Sequence, residues 1–188
     1  MNAIEAAGHL ASCLDEDKLP YAIGGALALG VWGAARVTND VDISIFVGQD
    51  RWPVLFESLE RAGVMIDRAA ATRGWTRIGL YKGKLGKLPV DIFVSAHPQA
   101  ADMLARRRRV DSDQGPLYFI TAEDLTIHKL VFGRDKDAID LARLFAARTI
   151  DVDYIRGWLT KMLPAGDRRF AILDDLERRF STGSPERS

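Results

Sequence analysis

The sequence predicts an α/β (α+β) protein, a small mixed β-sheet core with helices on one face followed by a C-terminal helical half. Three observations carry that expectation. VDISIFV at 41–47 and the run at 88–95 alternate aliphatic residues with polar or aromatic ones, the period of a half-buried strand. A glycine pair, Gly24-Gly25, separates a short apolar run from a helical stretch. Beyond Pro98, apolar residues recur mostly at helical spacing.

Ile4, Ala7, Leu10, Ala11 and Leu14 predict a helix over 3–16. YAIGG predicts a short strand, and LALGVWGAA a helix after it. Past strand 41–47, Trp52, Leu55, Phe56 and Leu59 predict an amphipathic helix over about 51–62. Strands are expected near 75–81 and 88–95, joined by KGKLGK, whose glycines suit a hairpin turn. A helix carrying Arg106–Arg109 and the short apolar LYFI come next. Thr121 is the expected N-cap of a helix at 122–133. Another helix at 136–147 places Ala138, Leu141, Ala142 and Phe145 on one stripe. Two more carry Ile155, Trp158, Leu159 and Met162, then Phe170, Leu173 and Leu176, before SPERS frays. Residues 1–97 are expected as a core and 98–188 as a mostly helical part packed on it.

Composition narrows the function classes. The 188 residues are 47% hydrophobic, enough for a real core. Equal numbers of basic and acidic residues, 26 each, exclude an indiscriminate nucleic-acid coat but leave room for a local basic face. The single cysteine, Cys13, excludes an internal disulfide and fits a reducing compartment. No Cys/His spacing reads as a zinc site. MNAIEAAGHLASCLDEDK does not read as a signal peptide. The uncharged stretch Tyr21–Ala35 is shorter than the roughly 20 residues of a membrane span. A soluble, cytoplasmic protein with no membrane partner is expected.

Asp40 and Asp42, two apart, project together, away from Val41, Ile43 and Ile45. Asp91 stands in the same relation to Val90 and Ile92. If the two strands are neighbours, three carboxylates converge on one face. Their repulsion suits a hard divalent cation, and Mg²⁺ takes a few carboxylates plus phosphate oxygens. The plainer reading has Asp40 and Asp42 solvating the strand edge and Asp91 in a salt bridge. Gly24-Gly25 leaves backbone N–H groups open at a helix start, which favours phosphate or, equally, close helix–strand packing.

IGGALALGVWGAARVTNDVDISI resembles the signature of the DNA polymerase β-like nucleotidyltransferase superfamily, and VDIFV around Asp91 matches its third-aspartate strand. The likeness covers residues 21–95. It implies a nucleotidyltransferase core in residues 1–97, with one or two Mg²⁺ ions on Asp40, Asp42 and Asp91. It places the triphosphate of a nucleoside triphosphate near Gly24 and Gly25. Many members carry serine at the second glycine position, where this chain has Gly25. In the same pattern, R-x-T-x-D-x-D puts Arg36 and Thr38 at the nucleotide pocket.

Residues 122–144, AEDLTIHKLVFGRDKDAIDLARL, are similar to the later motifs of AbiE-type toxin nucleotidyltransferases and their MenT-type relatives. That similarity places Lys129 at the nucleotide-binding lysine and Arg134 at the arginine, with Asp137 or Asp140 as the functional aspartate, Asp137 being favoured. On a helical wheel Lys129 shares a stripe with Thr126 and Gly133, a lone cation opposite Ile127, Leu130 and Val131. An ordinary solvated lysine is the alternative. Asp137 also suits a helix first turn, and Asp140 a pair with Lys136 or Arg143.

The expected function is therefore Mg²⁺-dependent transfer of a nucleoside monophosphate to an acceptor hydroxyl, with release of pyrophosphate. The toxin-like resemblance implies an RNA acceptor, the tRNA 3′ end, and a cognate antitoxin as partner. The alternatives are an antibiotic- or protein-modifying nucleotidyltransferase and a catalytically silent nucleotide-binding module. Arg106–Arg109 is a candidate RNA-backbone contact, with Lys82, Lys84 and Lys87 as weaker ones; a solvated helix end balanced by Asp111 and Asp113 is the commoner outcome. His9, His97 and His128 are too scattered for a metal triad. Ser12, Ser44 and Ser95 lie in no nucleophile elbow.

Overall fold

The computed structural model describes residues 1–94 and 98–180, so Ser95, His97 and the SPERS tail lie outside the described residues. In chain order the elements are α1 Ala3–Glu16, β1 Tyr21–Ile23, α2 Gly25–Val31, β2 Val41–Ile45, α3 Trp52–Arg61, β3 Val64–Met65 and α4 Arg68–Ile78. They continue with β4 Leu80–Leu85, β5 Leu88–Val94, α5 Gln99–Arg106, β6 Arg108–Ser112 and β7 Gly115–Phe119. The last four are α6 Ala122–Phe132, α7 Asp135–Ala147, α8 Val152–Met162 and α9 Arg168–Phe180. They divide into two compact units, Met1–Ala28 with Arg36–Thr121, and Leu29–Ala35 with the chain from Ala122 onward. None of the described helices is long and apolar enough to cross a membrane.

The first unit is built on one mixed sheet of order β3-β4-β5-β2-β1-β7-β6. At its centre β1 runs antiparallel to β2 and parallel to β7, and β2 runs parallel to β5. The aliphatic rows are sealed: Val41, Ile43, Ile45, Val90, Ile92 and Val94 are all buried. Helix α1 starts on a capping box in which Asn2 accepts from the Glu5 N–H at 3.0 Å and the Glu5 carboxylate accepts from the Asn2 N–H. It buries Ala6, Ala7, Leu10 and Leu14, and packs on α3, β1, β2 and β7.

Two expectations are corrected here. The strand expected near 75–81 is helical to Ile78, and the strand begins at Leu80. Asp67 caps α4 by accepting from the Ala70 N–H at 2.9 Å, and Gly79 ends it at φ 69°. Trp75 carries the strand-like hydrophobicity of that stretch. It packs face to face on Phe56 and donates its indole N–H to the Ile92 carbonyl at 3.1 Å, fixing α4 against β5. Second, the basic run is split. The helix ends at Arg106, and Arg108 and Arg109 open β6 of a hairpin that extends the sheet to Phe119.

The second unit is helical. Helix α6 contacts α7 and α8, and α9 contacts α7 and α8. Leu125, Ile127, Leu130, Leu141, Leu144, Ile155, Leu159 and Leu173 form its core. The Tyr154 hydroxyl of α8 donates to the buried Asp124 carboxylate of α6 at 2.8 Å. Arg156 of α8 bridges Asp174 and Glu177 of α9.

Candidate active site

The parallel pairing of β2 and β5 brings Asp42 and Asp91 into register, side by side on one face of the sheet. Asp40 lies just ahead of β2, two residues from Asp42. The loop before it is short and self-bonded, and the Thr38 hydroxyl donates to the Asp40 carboxylate. Arg36 donates to the Val37 carbonyl at 3.4 Å in the same loop. The chain thus presents Thr38, Asp40, Asp42 and Asp91 around one edge of two adjoining strands.

Gly24 and Gly25 meet this edge from β1. The Gly24 N–H donates to the Asp42 carbonyl at 2.8 Å, and the Gly24 carbonyl accepts from the Ala28 N–H at 3.1 Å, starting α2. Gly25 has φ 55°, and a Cβ there would overlap the Asp42 carboxylate. Glycine at 25 is therefore demanded twice, by backbone conformation and by the close approach of Asp42. The packing reading of the pair holds: the Gly24 N–H is taken up by β2, and Gly25 lies tight against Asp42 where α2 begins.

A third strand completes the row. Lys82 of β4 is the register partner of Asp91, and its ammonium donates to Asp91 Oδ2 at 2.7 Å. The pairing was readable in advance: a turn at Gly86-Lys87 pairs 85 with 88 and, counting back, 82 with 91. The donor set suits a hard cation in kind, since Asp42 and Asp91 are carboxylates in register on neighbouring strands and Asp40 stands two residues ahead of Asp42. The Asp40 carboxylate is held by Thr38 and that of Asp91 by Lys82, and among the described residues no group of three or more His, Cys, Asp or Glu side chains is gathered closely enough to hold a metal ion.

An open cavity of about 650 Å³ is lined by Met1, Asn39, Leu85, Lys87 and Pro89, starting one residue from Asp40.

The helical unit places Lys129 differently from the helical wheel. Lys129 is 2% exposed, and its ammonium donates to Asp140 Oδ2 at 2.6 Å and Asp137 Oδ1 at 3.2 Å. The lone cation is in fact a paired one, because α7 brings two buried carboxylates that a wheel of α6 alone does not contain. Val131, on the stripe expected inside, is 39% exposed. Asp137 also accepts from Arg134, from Nε at 2.9 Å, from Nη2 at 3.2 Å and from the backbone N–H at 3.0 Å. Burial raises the Asp137 carboxyl, but the Arg134 and Lys129 hydrogen bonds and charges outweigh it and hold it below its ordinary value. Arg134 is half exposed and lies over the Phe132 ring. On α6, burial and then the Lys129 charge push the His128 imidazole down to about 4.

The remaining candidates are structural or peripheral. Arg107 donates to the Tyr21 carbonyl at 2.8 Å and lies 4.1 Å over the Tyr118 ring. Arg109 pairs with Asp111 at 2.9 Å. Lys84 and Lys87 are exposed. His9 Nε2 meets the Ala62 carbonyl at 3.2 Å.

No protein-family model matches the chain, and no curated protein matches it. Solved structures do. ANT(2'')-Ia, an antibiotic-resistance factor studied in solution, is 15% identical with a TM-score of 0.53, covering 97% of this chain and 96% of that one. An antigenic nucleotidyltransferase-like protein from Paracoccidioides brasiliensis is 16% identical with a TM-score of 0.51, covering 97% and 91%. ANT(2'')-Ia in complex with adenylyl-2''-tobramycin is 15% identical with a TM-score of 0.50, covering 91% and 94%. These likenesses establish the fold, the mixed α/β fold of nucleotidyltransferases.

Proposed function

We propose that the chain is a nucleotidyltransferase that moves a nucleoside monophosphate from a nucleoside triphosphate to an acceptor hydroxyl and releases pyrophosphate. The observation that carries this reading is the row of Asp42 and Asp91 on parallel neighbouring strands, with Asp40 two residues ahead and the Gly24-Gly25 turn against Asp42. Residues 1–97 carry these groups as the catalytic core. Asp40, Asp42 and Asp91 are the residues that would hold one or two Mg²⁺ ions. When bound, such ions neutralise phosphate charge and stabilise an in-line displacement.

The chain's own groups divide the remaining work. Backbone N–H groups after Gly24 and Gly25 orient the triphosphate. Asp91 takes the proton of the acceptor hydroxyl as its oxygen bonds to the α-phosphorus and the bond to pyrophosphate breaks. Thr38 holds the Asp40 carboxylate in place. Arg36 lines the nucleotide pocket. In the helical unit, Lys129 and Asp137 brace Arg134, the half-exposed cation of that cluster and its nucleotide contact.

The acceptor we propose is RNA, the tRNA 3′ end, in a toxin–antitoxin setting with a cognate antitoxin, on the similarity of residues 122–144 to AbiE-type and MenT-type segments. The exposed Lys84 and Lys87, with Lys82 beside them on β4, support an acceptor side of basic character. A second reading, a small-molecule antibiotic acceptor, is favoured by near full-length fold likeness to ANT(2'')-Ia. Incubation with each α-³²P-labelled nucleoside triphosphate and total tRNA, with parallel aminoglycoside reactions, separates the two. Label on tRNA is expected. Label on the drug alone establishes the second reading, and nucleotide binding without transfer to any acceptor identifies a silent module.

A further inference from the structure

We propose that Lys82 is a built-in counter-ion that competes with divalent cations for Asp91, so that entry of a cation at the candidate site requires the lysine to leave. The inference rests on the site reading above and deepens it with a regulatory element. Lys82, Asp91 and Asp42 stand opposite one another on β4, β5 and β2, one row across three adjoining strands. Two carboxylates directly side by side repel, and like charges in cross-strand positions destabilise a sheet. The Lys82 ammonium, 2.7 Å from Asp91 Oδ2, offsets that repulsion from the third strand.

The pair is asymmetric. The Asp91 side chain is 18% exposed, whereas that of Lys82 is 71% exposed. The carboxylate is held by its strand, and the ammonium reaches it from solvent on a flexible stem. An exposed ion pair of this kind is weak, so the lysine can swing away at little cost. A divalent ion approaching Asp91 meets an ammonium already on the carboxylate and is repelled until the lysine swings away. Lys84, two residues along β4, carries the same charge on the same face but stands opposite Pro89. It therefore separates a specific counter-ion from general basic charge.

The test is Mn²⁺ binding to the full chain, followed by electron paramagnetic resonance without nucleotide, for wild type, Lys82→Met, Lys84→Met and Asp42→Asn. Methionine keeps the apolar stem of Lys82, and circular dichroism checks the fold of each variant. Lys82→Met is expected to bind Mn²⁺ about three- to tenfold more tightly than wild type, a gain that shrinks at high salt. Lys84→Met is expected to stay within about twofold of wild type, because distance and screening weaken its effect, and Asp42→Asn to lose the site. Unchanged affinity in Lys82→Met, or an equal gain in Lys84→Met, overturns the counter-ion role while an Asp42→Asn loss leaves the site reading standing. Mn²⁺ binding that is indifferent to Asp42→Asn overturns the site reading and the counter-ion role with it.

Discussion

The Asp42 carboxylate lies where any side chain on Gly25 would have to project, with Gly25 held at φ 55°. A glycine of α2 and a carboxylate of β2 thus share one space. Gly25→Ala is expected to destabilise the fold by about 1–3 kcal/mol, through the positive φ and the displaced carboxylate. It should also depress transfer more than the stability loss explains, because Asp42 moves. Urea unfolding together with transfer rates at saturating nucleotide checks both parts.

Lys129 sits between two buried carboxylates, and its removal leaves them facing each other. Lys129→Met is expected to cost about 3–5 kcal/mol of stability, the usual penalty for breaking a buried ion cluster. Arg134→Ala removes a half-exposed group and is expected to cost about 1 kcal/mol or less. Its signature should instead be a raised KM for nucleotide in a folded protein. Denaturation midpoints and nucleotide KM, measured side by side, separate bracing from binding.

Acid should weaken the helical unit in two stages. The folded His128 pKa of about 4 lies below its ordinary value of 6.5, so the unfolded chain takes up the proton first. Stability is therefore full above pH 6.5 and falls as pH drops toward 4. Asp137, also held below its ordinary value of 3.8, contributes stability that is lost on further acidification through its folded pKa. Urea midpoints from pH 7 to pH 4 should decline, and His128→Gln should flatten that decline.

The carboxylate row was legible because strand period alone puts Asp42 and Asp91 on the polar side of two aliphatic strands. Period says nothing of which strands are neighbours, and the β2–β5 pairing supplies that. Helix α4 was misread because Trp75 reads equally as strand or helix; the deciding signals are the Asp67 cap and the Gly79 stop. The β6–β7 hairpin was hidden behind four arginines that mask any alternation. Lys129 was misplaced for a different reason. Its surroundings come from Asp137 and Asp140 on another helix, and a single-helix wheel contains no information about them.

The central claim is tested most directly by transfer of α-³²P label from nucleoside triphosphate in wild type and Asp42→Asn, with tRNA and aminoglycosides as acceptors. Asp42 stands in register with Asp91 and is replaced by a side chain of equal size. The account predicts label transfer with pyrophosphate release in wild type, and a loss of roughly a thousandfold in a variant that unfolds at the wild-type midpoint. Undiminished transfer by folded Asp42→Asn would contradict it.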